Sequence, residues 1–368
     1  MVGNDDGGHV QYAAQLGNAL SQKVSVEIIA PEGLNKEYFT EDINIHEVDE
    51  TVEVFLTNAS IMSPSDIYQV IERVSPSVVH ILDLHISLAL ALRKITNIPV
   101  VTTVHTPKSF RRYNIRHYLV NKDIISAGEN LFPYLNEAIT TQIYYRYSDK
   151  IIVHGENLKE IVKGNGISKE SIHTLPMGDF SVFNKYAKGI PEEENTILYF
   201  GYIAPRKGLK YLLKAIPHIQ SKLDEVTIII AGNGDITEYE EFIDEDICEV
   251  HNYHVSNEKV AELFERASVV AAPYVEASQS AVIPVAYSFG KPVVATTAGS
   301  IPEIVQDGST GYLIPPKNHR ELAEKLVTLL KQQEKRVTMG YNGRKLANEK
   351  LSWENISEKT IEIYKDIY

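Results

Sequence analysis

Cysteine, tryptophan and long apolar runs are scarce in this sequence, and each shortage excludes a class of protein. The single cysteine, Cys248, cannot form an internal disulfide bond, which fits a reducing compartment. A helix that spans a bilayer needs about 20 mostly apolar residues, and no stretch of the sequence approaches that length. No secretory signal pattern opens the chain, so we expect a cytoplasmic protein.

Positive charge is also in deficit, because 49 acidic residues face 36 basic ones and the net charge is −13. A general nucleic-acid binder gains affinity by neutralising phosphates, so this charge argues against one. The densest group of basic and aromatic residues is 109–118, SFRRYNIRHY. That basic cluster fits a solvated helix face, or a surface for an anionic acceptor or for peripheral contact with the inner face of a membrane.

Strand-like and helical patterns alternate along the chain, which at 368 residues is long enough for two domains. Near-continuous β-branched runs are typical of strands that are buried on both faces. The runs are VSVEIIA, SVVHILD, PVVTTVH and KIIVHG in the first half, and TILYFG, VTIIIAG, SVVAAPY and PVVATT in the second. The alternation predicts two doubly wound α/β domains facing a central cleft, where sheets of this kind bind ligands.

The boundary between the domains falls in 178–196, which mixes glycine, proline and acidic residues without strand or helix periodicity. We therefore predict a first domain over 1–180 and a second over 181–350. The remaining residues, 351–368, are predicted to form a terminal helix that crosses back to the first domain.

The first domain begins irregularly, because only six residues precede the pair Gly7 and Gly8 and the amphipathic helix that follows. The first strand of a doubly wound sheet is usually central. We expect that strand to be missing, supplied from elsewhere, or encoded upstream of Met1. The glycine pair suits a phosphate, which could approach the backbone N–H groups at the start of the helix, but a plain structural turn fits equally well.

Two adjacent cations, Arg206 and Lys207, follow a strand that ends at Gly201 in the segment LYFGYIAPRKGLKYLL. Gly208 then admits the next helix. Residues that follow the carboxyl end of a parallel strand line the ligand crevice. The pair could therefore neutralise a diphosphate leaving group, with two exposed loop charges as the alternative.

A polar loop interrupts the apolar segment PYVEASQSAVIPVAY and precedes a helix with Pro284 in its first turn, where the missing N–H is harmless. The loop is interpreted as a nucleotide site. Glu276 or its neighbours could accept hydrogen bonds from ribose hydroxyls. The residues expected to hold a diphosphate, through side chains or N–H groups, are Ser278, Gln279, Ser280, Ala281 and Val282.

Two histidines also end predicted strands. His105 follows IPVVTTV, and its place at the carboxyl end of a strand favours a functional role. His154 follows KIIV in the same way, and there we expect a hydrogen-bonded structural histidine.

Over nearly its whole length the sequence resembles the family-4 retaining glycosyltransferases of the GT-B fold. The matching segments include GGHVQYAAQLGNALSQKVSVEIIAPEG, IPVVTTVHT, DKIIVHGENLKEIV, ILYFGYIAPRKGLKYLLKAI, GKPVVATTAGSIPEIVQDGSTGYLIPP and LSWENISEKTIEIY, of which the last three are the most specific. The resemblance implies transfer of a sugar from a nucleotide-diphosphate donor, UDP or GDP most of all. The implied acceptor is a glycan, a lipid-linked or phosphorylated compound or another small molecule, and no metal is expected.

The resemblance also implies roles for particular residues. Gly8 would lie near the phosphates and sugar of the donor, and His105 beside the transferred sugar. Lys207 and the N–H groups of 278–282 would hold the diphosphate. Trp353 would have a packing role in the C-terminal helices.

Several residues depart from the family pattern. Tyr202 stands where most members have arginine, and Ala277 and Val285 stand where most have two glutamates. Met177 replaces a histidine and Ala281 a glycine of the most similar branch. A non-catalytic nucleotide-sugar or glycan-binding relative, or a partner subunit of an active transferase, is therefore the main alternative to an enzyme. The third hypothesis is another GT-B chemistry, either epimerisation of a nucleotide-sugar or inverting transfer.

Overall fold

The computed structural model of the chain describes residues 8–48, 50–53, 60–62, 64–82, 97–106, 142 and 144–367. The chain divides into two compact units. Unit 1 comprises Met1–Pro176 and Trp353–Tyr368, and unit 2 comprises Met177–Ser352. Gly7 and the basic cluster 109–118 lie outside the described residues. So do the residues before Gly7, on which the prediction about the first strand rests.

Unit 1 combines parallel strands with flanking helices. Its strands are β1 (Glu27–Pro31), β2 (Asn44–Val48), β3 (Glu50–Glu53), β4 (Ser60–Met62), β5 (Val79–Ile81), β6 (Val100–Val104), β7 (Lys150–Val153) and β8 (Ile172–Thr174). Its helices include α1 (Gly8–Ser21), α2 (Pro64–Val74), α3 (Glu156–Gly164) and α10 (Trp353–Lys365). Strands β5 to β8 form one parallel sheet in that order, β1 pairs with β2 in parallel, and β3 pairs with β4 antiparallel.

Helix α2 packs against strands from both parallel sheets of unit 1. Ile67 and Ile71 of α2 are buried with Val48 of β2, and Ile29 of β1 and Val79 of β5 pack against the same cluster. The amphipathic helix therefore covers both groups of strands with one apolar face. All four strands predicted in the first half are confirmed, as β1, β5, β6 and β7.

Unit 2 has one six-stranded parallel sheet in the order β11-β10-β9-β12-β13-β14. Its strands are β9 (Thr196–Phe200), β10 (Thr227–Ala231), β11 (Cys248–His251), β12 (Val269–Ala272), β13 (Val293–Thr296) and β14 (Gly311–Ile314). Its helices are α4 (Leu209–Gln220), α5 (Asn257–Arg266), α6 (Val282–Ser288), α7 (Ile301–Ile304), α8 (His319–Lys331) and α9 (Gln333–Lys350). The four strands predicted in the second half are β9, β10, β12 and β13, and the doubly wound α/β class is confirmed.

The core of unit 2 lies between this sheet and the apolar faces of α4 and α8, where Leu212 and Leu322 are fully buried. Asn318 caps α8, because its side chain accepts a hydrogen bond from the Glu321 N–H at 3.2 Å and donates to the Glu321 carboxylate at 2.8 Å. Among the described helices, none combines the length and apolar character needed to cross a membrane.

The segment interpreted as a linker is attached to α5. Its short 3-10 helix, Ser181–Tyr186, packs against α5. The Arg266 guanidinium bonds the Glu193 carboxylate at 2.6 and 3.1 Å and the Glu249 carboxylate at 2.5 and 2.8 Å. The bonds to Arg266 hold the pKa of Glu249 down, to about 2. This ion cluster ties the residues before β9 to the edge strand β11.

Replacing Arg266 with alanine should lower the free energy of unfolding at pH 7 by about 1 to 2 kcal/mol, since the pairs are partly exposed. A carboxylate with a lowered pKa stabilises the fold above its ordinary pKa and loses that effect as the pH falls. The difference between Arg266→Ala and wild type should therefore shrink between about pH 4.5 and pH 2. Urea unfolding of both proteins at pH 7 and pH 3 measures this difference in the free energy of unfolding.

Lys345→Ala is the matched control, because Lys345 lies 3.9 Å from Glu349 and both side chains are 59% exposed. Its effect should stay within about 0.5 kcal/mol. An Arg266→Ala deficit that is as large at pH 3 as at pH 7 would contradict the role given to the ion cluster.

Candidate functional site

The order of strands in the unit 2 sheet reverses between β9 and β12. From β9 the chain continues to β10 and β11 on one side, and then returns to β12 on the other side of β9. Ligands of open α/β sheets bind outside the carboxyl ends of the strands at such a reversal. Arg206 and Lys207 follow β9, and the loop 273–281, which contains the predicted polar segment 276–281, follows β12. The topology therefore brings both predicted segments to one end of the sheet.

The two segments are joined by their backbones. The Arg206 carbonyl accepts hydrogen bonds from the Val275 N–H at 2.8 Å and from the Glu276 N–H at 3.2 Å. Gly208 permits this contact, because its φ is +76° and a Cβ there would lie 1.9 Å from the Pro273 carbonyl oxygen. Only glycine fits both the left-handed backbone and the close approach.

Gly201 has a related structural position at the end of β9. Its φ is +117°, and a Cβ added to Gly232 would lie 2.1 Å from the Gly201 carbonyl oxygen. The loops after β9 and β10 are thus also in close contact. Gly201 is expected to shape the backbone at this end of the sheet.

Lys207 is held by an aromatic ring. Its Nζ lies 4.0 Å from the ring centroid of Tyr274, within the range of a cation–π interaction. Tyr274 is buried, and its hydroxyl lies 3.1 Å from the Ser280 Oγ. The Ser280 side chain is 1% exposed and its hydroxyl is paired in this way. On sequence grounds, Ser280 is assigned to the diphosphate through its side chain or its N–H group, and that assignment stays a prediction.

The other predicted donor-binding residues have graded exposure. Arg206 and Glu276 are exposed, while Ser278, Gln279 and Ala281 are half-buried. Within the described chain, the N–H groups of 278–282 donate to no protein acceptor. Unpaired N–H groups before and in the first turn of a helix, here α6, attract anions.

Residues at the end of β13 and directly after it hold the polar loop, and the sequence analysis missed them. The Thr296 hydroxyl donates to the Tyr274 carbonyl at 2.6 Å, and the Ser300 N–H donates to the Ser278 carbonyl at 3.1 Å. Gly299 has a φ of +55°, and a Cβ there would lie 1.8 Å from the Ala277 carbonyl oxygen. The Gly-Ser pair before the proline-containing helix α7 is the signal that could have indicated this contact.

Two of the departures from the family pattern have clear structural positions. Tyr202 follows Gly201 and is 59% exposed. Val285 is 3% exposed inside α6, so this position offers no polar group to a ligand.

In unit 1, Gly8 begins α1, and the two histidines adjoin the carboxyl ends of neighbouring strands. His105 follows β6 and His154 follows β7, and these strands pair in parallel. The His154 Nε2 lies 2.8 Å from the His105 Nδ1, and the His154 Nδ1 lies 3.1 Å from the Leu175 carbonyl oxygen. The hydrogen-bonded structural role predicted for His154 is confirmed.

Tyr12 of α1, which the sequence analysis did not single out, packs edge-on against both rings. Its ring centroid lies 4.7 Å from that of His105 and 5.3 Å from that of His154. Trp353 at the start of α10 packs against the same tyrosine at 5.1 Å. Burial raises the pKa of Tyr12, so the hydroxyl stays protonated.

The hydrogen bonds fix the tautomers of the two histidines when both rings are neutral. A carbonyl oxygen only accepts, so the His154 Nδ1 carries the proton donated to Leu175. The His154 Nε2 must then accept, and the His105 Nδ1 donates to it. In that neutral tautomer the His105 Nε2 carries a lone pair, which can accept a proton or a hydrogen bond.

Comparison with known proteins identifies relatives of both units. A family model described as Glycosyl transferases group 1 matches residues 194–332, and one described as Glycosyltransferase Family 4 matches residues 6–178. An uncharacterized glycosyltransferase of Methanocaldococcus jannaschii is 26% identical over 74% of this chain and 71% of its own length. A phosphatidyl-myo-inositol mannosyltransferase of Mycobacterium leprae is 26% identical over 55% of this chain. The match covers only 52% of that relative.

Solved structures share the fold. Anabaena HepE in complex with UDP superposes with a TM-score of 0.75 and 17% identity, over 99% of this chain and 97% of that one. Sucrose-phosphate synthase from Thermosynechococcus elongatus has a TM-score of 0.70 and 18% identity, over 97% of this chain and 92% of that one. The predicted GT-B fold with two Rossmann-like domains is thereby confirmed.

The contact between Gly208 and Pro273 gives a test with a matched control. Gly208→Ala and Gly308→Ala both place alanine at a φ near +75°, but a Cβ at Gly308 has no atom within 4 Å. Gly308→Ala should destabilise unit 2 by about 1 to 2 kcal/mol, from backbone strain alone. Gly208→Ala should cost at least about 1 kcal/mol more, because the two loops must separate. Equal losses in urea unfolding would show that the close approach is absent.

The histidine pair predicts a specific tautomer for each ring. Nitrogen NMR at a pH where both rings are neutral should show His105 and His154 each protonated on Nδ1. Each signal is assigned by substituting the histidine that gives rise to it. In His154→Phe, the His105 Nδ1 loses its acceptor, and its ring should shift toward the Nε2-protonated form. A wild-type His154 protonated on Nε2 would refute the hydrogen-bond directions.

Proposed function

The chain belongs to the group 1, family 4 glycosyltransferases, and from this premise we propose that it transfers a sugar from a nucleotide-diphosphate donor to an acceptor hydroxyl with retention of configuration. The observation that carries the proposal is the union of the Arg206–Lys207 segment with the loop 273–281 at the reversal of the unit 2 sheet. Both segments supply groups that bind anions. One diphosphate could therefore contact both.

The diphosphate gains negative charge as the sugar departs. Arg206 and Lys207 offset that charge, and the N–H groups of 278–282 add donors that are already oriented. Such preorganised electrostatic stabilisation is usually the largest catalytic contribution. We expect no bound metal, because these groups take over the neutralisation of the phosphates.

The chemical step is proposed to occur on one face of the sugar. The bond from the anomeric carbon to the diphosphate oxygen breaks, and the acceptor oxygen bonds to that carbon from the same side. The acceptor proton passes to the departing phosphate oxygen. A hydrogen bond from the sugar to His105 is proposed from the family resemblance and from the place of His105 at the end of β6.

UDP is the preferred nucleotide of the proposed donor, because the related fold of HepE has been solved with UDP and with UDP-glucose. The acceptor class proposed is a glycan, a lipid-linked compound or a phosphorylated compound. Catalysis in the cytoplasm, with peripheral attachment to the inner face of the membrane, remains part of the proposal.

A non-catalytic nucleotide-sugar binder is the second candidate, and one observation favours it. Val285 is apolar and buried where most members of the resembled family have a glutamate. Calorimetry with UDP and GDP, combined with an assay of donor hydrolysis and transfer, separates the candidates. Binding without turnover in any acceptor mixture would favour the binder.

The double variant Arg206→Ala, Lys207→Ala tests the catalytic proposal. The donor is first chosen by a thermal-shift screen of UDP-, GDP-, ADP- and dTDP-sugars, in which a ligand at 100 times its Kd stabilises by about 2.7 kcal/mol. Release of nucleoside diphosphate should then be about a hundredfold or more slower in the double variant.

Lys210→Ala is the control, because Lys210 is an exposed cation of α4, three residues beyond Lys207. This variant should retain the wild-type rate. If the double variant had the same rate and the same UDP affinity as Lys210→Ala, the assignment of Arg206 and Lys207 to the diphosphate would be wrong.

A further inference from the structure

Tyr274 connects three segments of unit 2 at the candidate site. Its ring lies under the Lys207 Nζ, and its hydroxyl lies 3.1 Å from the Ser280 Oγ. Its carbonyl accepts from the Thr296 hydroxyl at 2.6 Å. One side chain thus links the cation after β9 to the residues before α6, while its backbone is anchored to β13.

The contact with Lys207 orients the ammonium group without occupying it. A lysine side chain has four rotatable bonds and loses much rotamer entropy when a ligand immobilises it. A ring face attracts the cation through its quadrupole and uses up no N–H donor. In the part of the chain that the structure describes, the contact recorded for the Lys207 ammonium group is the Tyr274 ring, and no ion pair is recorded. Its donors therefore remain available to an anion.

The contact with Ser280 positions backbone donors. Ser280 directly precedes Ala281, the residue before the first turn of α6. The side chain of Ser280 is buried, so its hydrogen bond to Tyr274 fixes the direction in which the chain enters the helix. The N–H groups of 280–282, which donate to no acceptor in the described chain, adjoin this contact.

We infer that Tyr274 is a positioning residue for the diphosphate of the donor, acting through Lys207 on one side and through Ser280 on the other. This inference rests on the proposed function. It adds a residue that touches no ligand atom itself and that aligns two separate sets of anion-binding groups.

The inference predicts that substitutions of Tyr274 weaken the binding of a diphosphate without weakening that of a nucleoside. Tyr274→Leu removes both the ring and the hydroxyl, and should raise the Kd for UDP about tenfold to thirtyfold. Tyr274→Phe keeps the ring under Lys207 and should raise the Kd for UDP about threefold. The Kd for uridine, which has no phosphate, should be unchanged in both. Isothermal calorimetry of the full chain measures all of these values.

Tyr199→Phe is the matched control, because it also removes a buried tyrosine hydroxyl from unit 2. The Tyr199 hydroxyl has no hydrogen-bond partner in the described chain. Tyr199 lies in β9, which ends just before Gly201. This variant should bind UDP and uridine like wild type. Melting temperatures of all variants report folding, and Tyr274→Phe gives a readout even where Tyr274→Leu fails to fold.

A double-mutant cycle tests the route through Lys207. Lys207→Ala should weaken UDP binding, and adding Tyr274→Leu should then cost clearly less than it does in wild type. Additive losses, or equal losses for UDP and uridine, would overturn the inference while leaving the proposed function in place. A wild-type protein that binds neither UDP nor UDP-sugars would instead overturn the UDP-dependent proposal itself.

Discussion

Two N–H groups of the loop after β12, those of Val275 and Glu276, converge on the Arg206 carbonyl of the loop after β9. The site in unit 2 depends on this backbone contact, because it fixes the distance between the cations and the polar loop. Side chains alone could not do so, since long lysine and arginine side chains reach many positions. The contact in turn depends on Gly208, whose missing Cβ leaves room for the Pro273 carbonyl.

The contact follows from the order of the strands. Neighbouring strands of a parallel sheet end at the same edge, and β9 and β12 are neighbours because the chain changes sides after β11. The loops after them must share space, and close packing there requires either glycine or backbone hydrogen bonds. Glycine provides the space at Gly208 and Gly299, and backbone hydrogen bonds join the loops at Arg206 and Ser300. The groups proposed to bind the diphosphate are thus carried by loops that are joined to each other and not by independent loops.

Sequence patterns were sufficient for the fold class and for eight of the 14 described strands, but not for every side chain of the site. Continuous β-branched runs identified eight strands, because burial on both faces leaves a strong local signal. The short edge strands β11 and β14 gave weaker signals, since CEVH and GYLI are brief and mixed in composition. The position of Arg206 and Lys207 beyond the carboxyl end of β9 could be predicted from the strand pattern. The burial of the Ser280 hydroxyl could not, because it depends on Tyr274, six residues away, whose direction no local pattern encodes.

Buried tyrosines pack against polar side chains in both units, in different geometries. Tyr12 packs edge-on against the histidine pair in unit 1, and Tyr274 lies beneath Lys207 in unit 2. An aromatic ring is rigid, fills the space behind a polar group and interacts favourably with a positive or polarised partner. A ring supports a cation such as Lys207 without the competing carboxylate of an ion pair, which would neutralise the charge proposed to meet the diphosphate. In a chain with an excess of 13 negative charges, aromatic support of this kind keeps local cations available where most other partners would be acidic.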